Sequence, residues 1–475
     1  MAKAKQVSSK PGSTKDSLRK TLRAKVAHKK VFSTRSNTKK PASGPSKKKP
    51  SKRSRGYRQP KAEPPFPFSN QPDYLAWAGD RIDHKRVKRD EERERRARKD
   101  ALEELRARPP TNQRSFHMGC VVDDHSLIEV LGLGRSKEAR DIYLSSFTRK
   151  AIAELKSPYP PMFQYAAESE AAKAHWESVC HYTPVRDIRS KPIDWYPTMR
   201  LDLTKMTVVR ANESVIFYDP QSPEKPVLLV LRGLVQDEAV RKAIGEMVLK
   251  AIVERRRDRR EDTGAIVPIG YTAGARNEKK MGMARNQSSL IHKADVRRCE
   301  REDQENGSLM ALLWNIMRHS LPEGIIADYD TTIAAHNLDR LSTGSNKGFE
   351  VMLDDGKYRF SSGALAPPTA LAGWNYARYT HNDHNANEYM ISYTSHCNAD
   401  PSRGGNFYVA KYGIYVEQAA NTCVAWKEKD PHGTTIIEPV RGRQNFGVSV
   451  AIANTLVGAR AKAAKRAADG GEARS

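Results

Sequence analysis

The sequence has few cysteines and no long hydrophobic run. Its five cysteines are widely spaced and form no C-x-x-C pair, which argues against a disulfide framework and against a zinc finger. No apolar segment approaches the roughly 20 residues that a membrane-spanning helix needs, and no apolar stretch follows the first residues as it does in a secretory signal peptide. We therefore expect a soluble, intracellular protein.

Acidic residues are scarce in the first 60 residues. Of the chain's 82 Lys and Arg, 20 lie there beside a single acid, Asp16, so this part carries +19 of the net charge of +26. Because it also lacks periodic apolar residues, we predict a disordered basic tail over residues 1–62. Two clusters, Lys47–Lys49 and Lys52–Arg55, indicate a nuclear localisation signal and a polyanion-binding arm. A merely solubilising tail is the alternative.

Residues 63–200 are predicted to be mainly helical, with Pro-rich joints. Over residues 80–108 acids and bases alternate with few apolar residues, which favours an exposed, salt-bridged helix. The signs of this run nearly balance, so it indicates DNA binding only weakly. The sequence of this segment points to no chemistry.

Strand patterns dominate two later parts of the sequence. Runs rich in β-branched residues and bounded by turn residues predict strands at 201–209, 214–218 and 227–231. Beyond Gly348 almost the whole pattern is that of strands, which are predicted at 349–353, 389–394, 407–416, 422–426 and 448–452.

Two helices are predicted between these parts. Apolar residues at i, i+3, i+4 spacing predict a helix over 237–255. A second helix over 308–321 is expected to stop at Pro322 and Gly324. Helices followed by short strands at this rhythm predict an α+β fold, in which a barrel or two-sheet roll is supported by helices on one side.

Two H-x-[DE] triplets match the pattern that supplies two of the three ligands in non-haem Fe(II) oxygenases. The first, His175-Trp-Glu177, lies in a helical pattern, where residues i and i+2 point to different faces. We interpret it as a surface pair. The second, His381-Asn-Asp383, comes just before a predicted strand, where a turn can direct both side chains inward. His432 follows 51 residues later and is the candidate third ligand.

The segment Tyr379–Asn387, with the sequence YTHNDHNAN, resembles the iron-binding segment of the ten-eleven translocation (TET) and J-binding protein family. In that family the H-x-D is closely followed by His-Asn-x-Asn. The stretch HGTT from His432 and the strand VSVAI at 448–452 are similar to the family's distal ligand region and last strand. The resemblance covers about residues 345–455 and is greatest to the fungal TET-like branch.

This resemblance implies a double-stranded β-helix (jelly-roll) dioxygenase core over residues 201–457, followed by a basic C-terminal tail at 458–475. It implies Fe(II) bound by the side chains of His381, Asp383 and His432, with 2-oxoglutarate as cosubstrate. The family oxidises methyl groups on DNA bases.

The resemblance also implies contacts to the target base. Asn385 matches the Asn that hydrogen-bonds the base in the family, and Asn387 is a weaker companion. His384 is expected to orient Asp383 or the base. Both Asn residues could instead be turn residues, since Asn favours such loops.

The chain departs from the family at the arginine that should pair with the distal carboxylate of 2-oxoglutarate. In the animal enzymes this Arg lies two positions before the Ser that matches Ser449, and here that position is Gly447. We predict Arg443 in this role, with Arg441 and Arg378 as alternatives. Each of the three could instead be a solvent-exposed arginine.

The basic loop Gly274–Arg285 is predicted to follow the phosphate backbone of DNA. Its four cations are Arg276, Lys279, Lys280 and Arg285. A surface loop without a ligand would have the same composition.

The predicted function is therefore oxidation of a methylated base in double-stranded DNA, foremost 5-methylcytosine to 5-hydroxymethylcytosine and further, while 2-oxoglutarate and O2 become succinate and CO2. The base must be flipped from the stack to reach the iron. Oxidation of N6-methyladenine or thymine uses the same iron chemistry. An alternative from another class is a non-catalytic chromatin or DNA-binding protein. We expect a monomer located in the nucleus.

Overall fold

Eight helices occur in the part of the chain that the computed structural model describes. That part comprises residues 84–109, 125–180, 196–255, 257–259, 262–273, 281–284, 296–345, 348–354, 356–361, 363–398, 400–438, 442 and 444–472. The helices are α1 (His84–Ala107), α2 (His125–Val130), α3 (Lys137–Ser145), α4 (Glu170–Cys180), α5 (Glu238–Glu254), α6 (Val296–Arg318), α7 (Glu323–Ala335) and α8 (Asn454–Glu472). None of these helices has both the length and the apolar character to cross a membrane.

Seventeen strands lie in the same residues. In chain order they are β1 (Thr148–Ala151), β2 (Tyr165–Ala167), β3 (Thr198–Arg200), β4 (Thr207–Val209), β5 (Val215–Asp219), β6 (Ser222–Arg232), β7 (Thr263–Thr272), β8 (Gly282–Met283), β9 (Phe349–Leu353), β10 (Gly356–Phe360), β11 (Thr369–Ala377), β12 (Tyr389–Cys397), β13 (Phe407–Val409), β14 (Ile414–Val416), β15 (Thr422–Lys427), β16 (His432–Thr434) and β17 (Asn445–Val450).

Two main sheets are formed. The larger has nine strands in the order β1-β5-β6-β15-β12-β17-β11-β7-β8, and the smaller has four in the order β16-β13-β14-β4. In the larger sheet β12 is antiparallel to both β15 and β17. Strand β16, which carries His432, pairs antiparallel with β13 in the smaller sheet.

Part of the larger sheet is buried on both faces, as β6 shows. Val227–Leu231 is a continuous apolar run, and successive side chains of a strand point to opposite faces. Leu229 lies in the core formed with α5, α6 and α7, whereas Leu228 lies in a second core that includes Val416 of β14. The larger sheet therefore lies between the helices and the smaller sheet.

Helix α5 starts after Asp237, whose Oδ1 accepts a hydrogen bond of 2.9 Å from the backbone N–H of Val240 and caps the helix. Helix α1 packs against α5 and lies inside the predicted helix at 80–108. A Cβ placed on Gly245 of α5 would lie 3.1 Å from Cδ2 of Leu105. Helix α1 thus has one buried stripe, which includes Leu102 and Leu105, rather than being exposed on all sides.

Several elements differ from the sequence prediction. Helix α6 is longer than 308–321, and Pro322 precedes a new helix, α7, because a missing N–H costs little at a helix start. The predicted strand 407–416 is a hairpin of β13 and β14 that turns at Gly413, with φ +61. Strands β7 and β11 were not predicted.

Residues 1–62, with the predicted disordered tail and localisation signal, lie outside the described residues. The segment 63–200 was predicted to be mainly helical, and its described part also contains strands β1 to β3. The predicted C-terminal tail at 458–475 falls mostly within helix α8.

Candidate metal centre

The two candidate histidine ligands face each other through a backbone bridge. The N–H of His381 donates to the carbonyl of His432 at 2.9 Å, and the N–H of His432 donates to the carbonyl of His381 at 3.0 Å. This pairing holds the two imidazole ring centres 4.6 Å apart. Residues 51 positions apart in sequence are thereby fixed side by side.

Asp383 completes the group from the loop between β11 and β12. Its backbone N–H donates to the carbonyl of Glu428 at 3.1 Å. Its carboxylate oxygens lie 3.6 Å from Nε2 of His381 and 3.4 Å from Nε2 of His432. The three ligand atoms lie within 4.8 Å of one another.

The hydrogen bonds on the far side of each ring determine which nitrogen faces the centre. Nδ1 of His381 lies 2.7 Å from the carbonyl oxygen of Tyr379, and Nδ1 of His432 lies 2.8 Å from that of Asp430. A carbonyl accepts only, so each Nδ1 carries the proton and each Nε2 keeps a lone pair. Two lone pairs and a carboxylate therefore converge on one point, and a cation satisfies all three.

The charge states suit a metal. Burial lowers the pKa of His381 to about 4. Burial alone would raise the pKa of the Asp383 carboxyl, but at low pH the protonated rings of His381 and His432 outweigh burial and hold this pKa well below its ordinary value. At neutral pH the site thus offers a neutral His381 ring and a carboxylate, the forms that bind metal ions.

We expect the His381 ring of the metal-free protein to titrate with a midpoint near pH 4. In the unfolded chain the midpoint should be about 6.5. Between these values the unfolded chain binds more protons, so this group makes stability fall as the pH drops from about 6.5 towards 4. Histidine NMR signals, assigned with a His381→Gln variant, measure the midpoint. A value near 6.5 in the folded protein would contradict the buried position of the ring.

The donor set fits Fe(II). Two His and one carboxylate are the ligands of non-haem iron oxygenases. The part of the chain described here contains no fourth His, Cys, Asp or Glu within the group, whereas a structural zinc site is closed by four protein ligands. The residues thus leave coordination positions free for other ligands.

A cavity of about 440 Å³ opens beside the triad. Trp426 lines it, and its indole Nε1 is buried without a hydrogen-bond partner among the described residues. The Trp426 and His432 rings meet edge to face, with centres 5.3 Å apart. A buried donor without a partner is uncommon, and this one lies beside the candidate ligand His432.

Arg378 lines the same cavity, but its charge is already paired. Its Nη1 lies 3.1 Å from Oδ2 of Asp262, whose side chain is fully buried. The Asp262 carboxylate also accepts hydrogen bonds from the hydroxyls of Tyr165 at 2.7 Å and Tyr376 at 2.6 Å. Nη2 of Arg378 donates to the hydroxyl of Tyr379 at 3.0 Å.

Arg259 is the cavity residue that sequence reasoning missed. Its Nη1 donates to the hydroxyl of Tyr376 at 3.2 Å, and it forms no ion pair with a carboxylate of the described residues. Burial lowers its pKa, but the interactions with the Tyr376 hydroxyl and the Asp383 carboxylate outweigh this effect and leave the pKa above its ordinary value. Arg259 sits in the stretch from 255 to 260, which holds five arginines and Asp258, and nothing in that stretch distinguishes it from the other arginines.

Gly447 stands at the position where the resemblance to the TET family predicts an arginine, and the packing there leaves no room for a side chain. A Cβ on Gly447 would lie 2.2 Å from the carbonyl oxygen of Tyr393 on the neighbouring strand β12. Ser449, two residues later, lines the cavity and its Oγ donates to Oγ of Ser392 at 3.0 Å. Arg441 and Arg443 lie outside the described residues, as do the loop cations Arg276, Lys279, Lys280 and Arg285.

The three predicted base-contacting residues lie in different surroundings. Asn385 lines the cavity, and its Nδ2 donates to Sδ of Met390 at 3.0 Å. Asn387 is buried, where its Nδ2 donates to the carbonyl of Tyr389 and its Oδ1 accepts from the N–H of Ile452 at 2.9 Å. His384 is exposed. A ligand in the cavity can therefore reach the Asn385 amide, whereas the Asn387 amide is used in hydrogen bonds to the backbone.

The rejected triplet lies on helix α4, as predicted. His175 is exposed there, and Glu177 is half-buried. Neither belongs to the group of possible metal ligands found in the described residues.

No protein-family model and no curated protein matches the chain. One similar solved structure is NgTET1 in complex with 5mC DNA, with a TM-score of 0.31 and 10% identity, covering 53% of this chain and 84% of that chain. Another is a prolyl hydroxylase from Trichoplax adhaerens in complex with a hypoxia inducible factor peptide. It has a TM-score of 0.23 and 9% identity, and the match covers 51% of this chain and 89% of that chain. The geometry of the triad, rather than these distant similarities, carries the functional argument.

Proposed function

We propose that this protein is an Fe(II)- and 2-oxoglutarate-dependent dioxygenase that oxidises a methylated base of double-stranded DNA. The observation that carries the proposal is the convergence of His381, Asp383 and His432 at the wall of a cavity of about 440 Å³. The two-sheet arrangement with the ligands on β16 and on the loop before β12 supports a double-stranded β-helix core.

The triad would hold Fe(II), which, when bound, supplies oxidation of a C–H bond by O2 coupled to conversion of 2-oxoglutarate to succinate and CO2. The side chains have to bind and orient the other reactants. Arg259 and Arg378 bring two positive charges to the cavity, and only Arg378 has a carboxylate partner among the described residues. We therefore assign the distal carboxylate of 2-oxoglutarate to Arg259, and Arg443 remains the candidate predicted from the sequence.

The Asn385 amide is suited to reading the polar edge of a flipped base. Its present bond to the Met390 sulfur is weak, since a thioether is a poor acceptor. Exchanging that bond for a hydrogen bond to a base therefore costs little. A flipped 5-methylcytosine is the first candidate and N6-methyladenine the second.

The expected DNA contacts and the location of the protein follow from the distribution of charge. The basic tail at 1–62 and the loop cations at 276–285 would contact the phosphate backbone. The tail would also direct the protein to the nucleus. The protein would act as a monomer.

Purified full-length protein tests the activity directly. It should form succinate from 2-oxoglutarate only with Fe(II), and mass spectrometry of the digested duplex should detect 5-hydroxymethylcytosine in place of 5-methylcytosine. Duplexes with N6-methyladenine, methylated cytosine or no methyl group identify the base. Duplex binding without succinate formation in the presence of Fe(II) would favour the non-catalytic DNA-binding alternative.

Deleting residues 1–60 should weaken binding to any duplex and make its salt dependence shallower. The deletion removes +19 of charge, so fewer counterions are released on binding. Turnover of bound substrate should persist because the triad lies elsewhere. The measurement is the slope of log affinity against log salt, and an unchanged slope would mean that the tail does not contact phosphates.

A further inference from the structure

Helix α8 starts at the edge of the cavity. Ala453 and Thr455 line the cavity. Between them, Nδ2 of Asn454 donates to the carbonyl of His384 at 3.1 Å and to that of Asn385 at 2.9 Å. The first turn of α8 is therefore fixed to the loop that carries Asp383.

One side of α8 is anchored to the protein. Leu456 and Ala459 are each 2% exposed. Arg460 donates from Nε to the carbonyl of Asn337 at 2.9 Å and lies 3.7 Å from Asp339. These contacts fix the rotation of the helix about its axis and thus determine which residues face solvent.

Exposed positions of α8 form a cationic stripe that begins at the cavity. Its members follow helical spacing of three or four residues, so they share one face; they are Thr455, Gly458, Lys462, Lys465 and Arg466. All five are exposed. An added Cβ at Gly458 would have no atom within 4 Å, so a partner can approach the backbone closely there.

The charge of this stripe is unpaired in the described part of the chain, where Lys462, Lys465 and Arg466 form no ion pair. Residues 454–468 contain four cations and no acid. Helix α1 is different, because its cations alternate with acids, as in the ion pair of Arg98 with Glu94 at 2.7 Å. A solvated helix face is expected to mix both signs, so the run of four cations before Asp469, the first acid of α8, points to an anionic partner.

We propose that the α8 stripe binds the sugar-phosphate backbone of the DNA strand whose base enters the cavity. This proposal rests on the function proposed above. With a rise of 1.5 Å per residue, Lys462, Lys465 and Arg466 lie about 10 to 17 Å along the helix from Thr455. A DNA strand carries one phosphate per about 3.4 Å of its axis. The stripe is thus long enough to meet several consecutive phosphates beside the flipped nucleotide.

The test compares two triple variants of the full-length protein. The first is Lys462→Ala, Lys465→Ala and Arg466→Ala, in which Ala preserves the helix. The matched control is Lys99→Ala, Lys156→Ala and Arg200→Ala, three exposed cations on other parts of the surface. Each triple variant loses three positive charges. Affinity for a methylated duplex is measured by fluorescence anisotropy between 50 and 200 mM salt, and succinate formation is measured in parallel.

The α8 variant should have a slope of log affinity against log salt that is shallower by about 2 to 3, since each lost phosphate contact removes about 0.9. The control should change by less than 1. Equal slopes in the two variants, or no duplex binding by the wild type, would overturn the α8 interface. If the wild type binds DNA through α8 but forms no succinate, the interface stands and the proposed activity fails. If succinate and oxidised base form while the slopes are equal, the activity stands alone.

Discussion

Replacing Asp383 with Ala is expected to lower turnover by about 1,000-fold or more while leaving duplex affinity within a few fold. The carboxylate is the only anionic member of the triad, and a metal site that loses it loses several kcal/mol of charge stabilisation. Duplex affinity should depend mainly on cations that contact phosphates. The measurements are Fe(II) binding, succinate formation and duplex affinity of the same preparation.

Glu428→Gln is the matched control for Fe(II) binding. Glu428 is another buried carboxylate of this region, 2% exposed, and its Oε2 accepts a hydrogen bond from the N–H of Asn385 at 3.0 Å. It is not a member of the triad, so this variant should still bind Fe(II). Retained turnover in Asp383→Ala, or loss of Fe(II) only in Glu428→Gln, would remove Asp383 from the ligand set.

Replacing Arg259 with Ala is expected to raise the apparent KM for 2-oxoglutarate by roughly 30-fold to 1,000-fold. The variant loses a charge-assisted contact to a carboxylate, for which about 2 to 4 kcal/mol is a reasonable cost in a partly buried cavity. Fe(II) binding should persist because no ligand is changed. Arg259→Lys should restore affinity only in part, since an ammonium cannot form the planar two-point contact of a guanidinium.

Three further variants show whether another arginine has this role. Arg443→Ala and Arg441→Ala test the positions predicted from the sequence. Arg378→Ala would leave the buried Asp262 carboxylate without its cation and so destabilise the fold; it is therefore combined with Asp262→Asn. If Arg443→Ala raises the KM and Arg259→Ala does not, the prediction from the sequence is right. If no variant responds, 2-oxoglutarate is not the cosubstrate.

The sequence predicted elements well where the pattern is local. The i, i+3, i+4 spacing over 237–255 reflects a helix with a buried stripe. The continuous apolar run in β6 reflects a strand that is buried on both faces. The prediction of element boundaries was wrong where a residue that interrupts a pattern is compatible with more than one arrangement of elements. Pro322 is compatible both with the end of α6 and with the start of α7, and the turn at Gly413 divides a run of strand residues that looks continuous.

The sequence by itself determined the candidate metal ligands, because the spacing of His381 and Asp383 is local and the flanking residues resemble a known segment. It could not determine that His432 bonds back to His381, nor that Arg259 reaches the same cavity from more than 100 residues earlier in the chain. It also could not show that a side chain at Gly447 would strike the backbone of β12. These relations depend on strand pairing and packing between distant segments, so only the tertiary structure decided them.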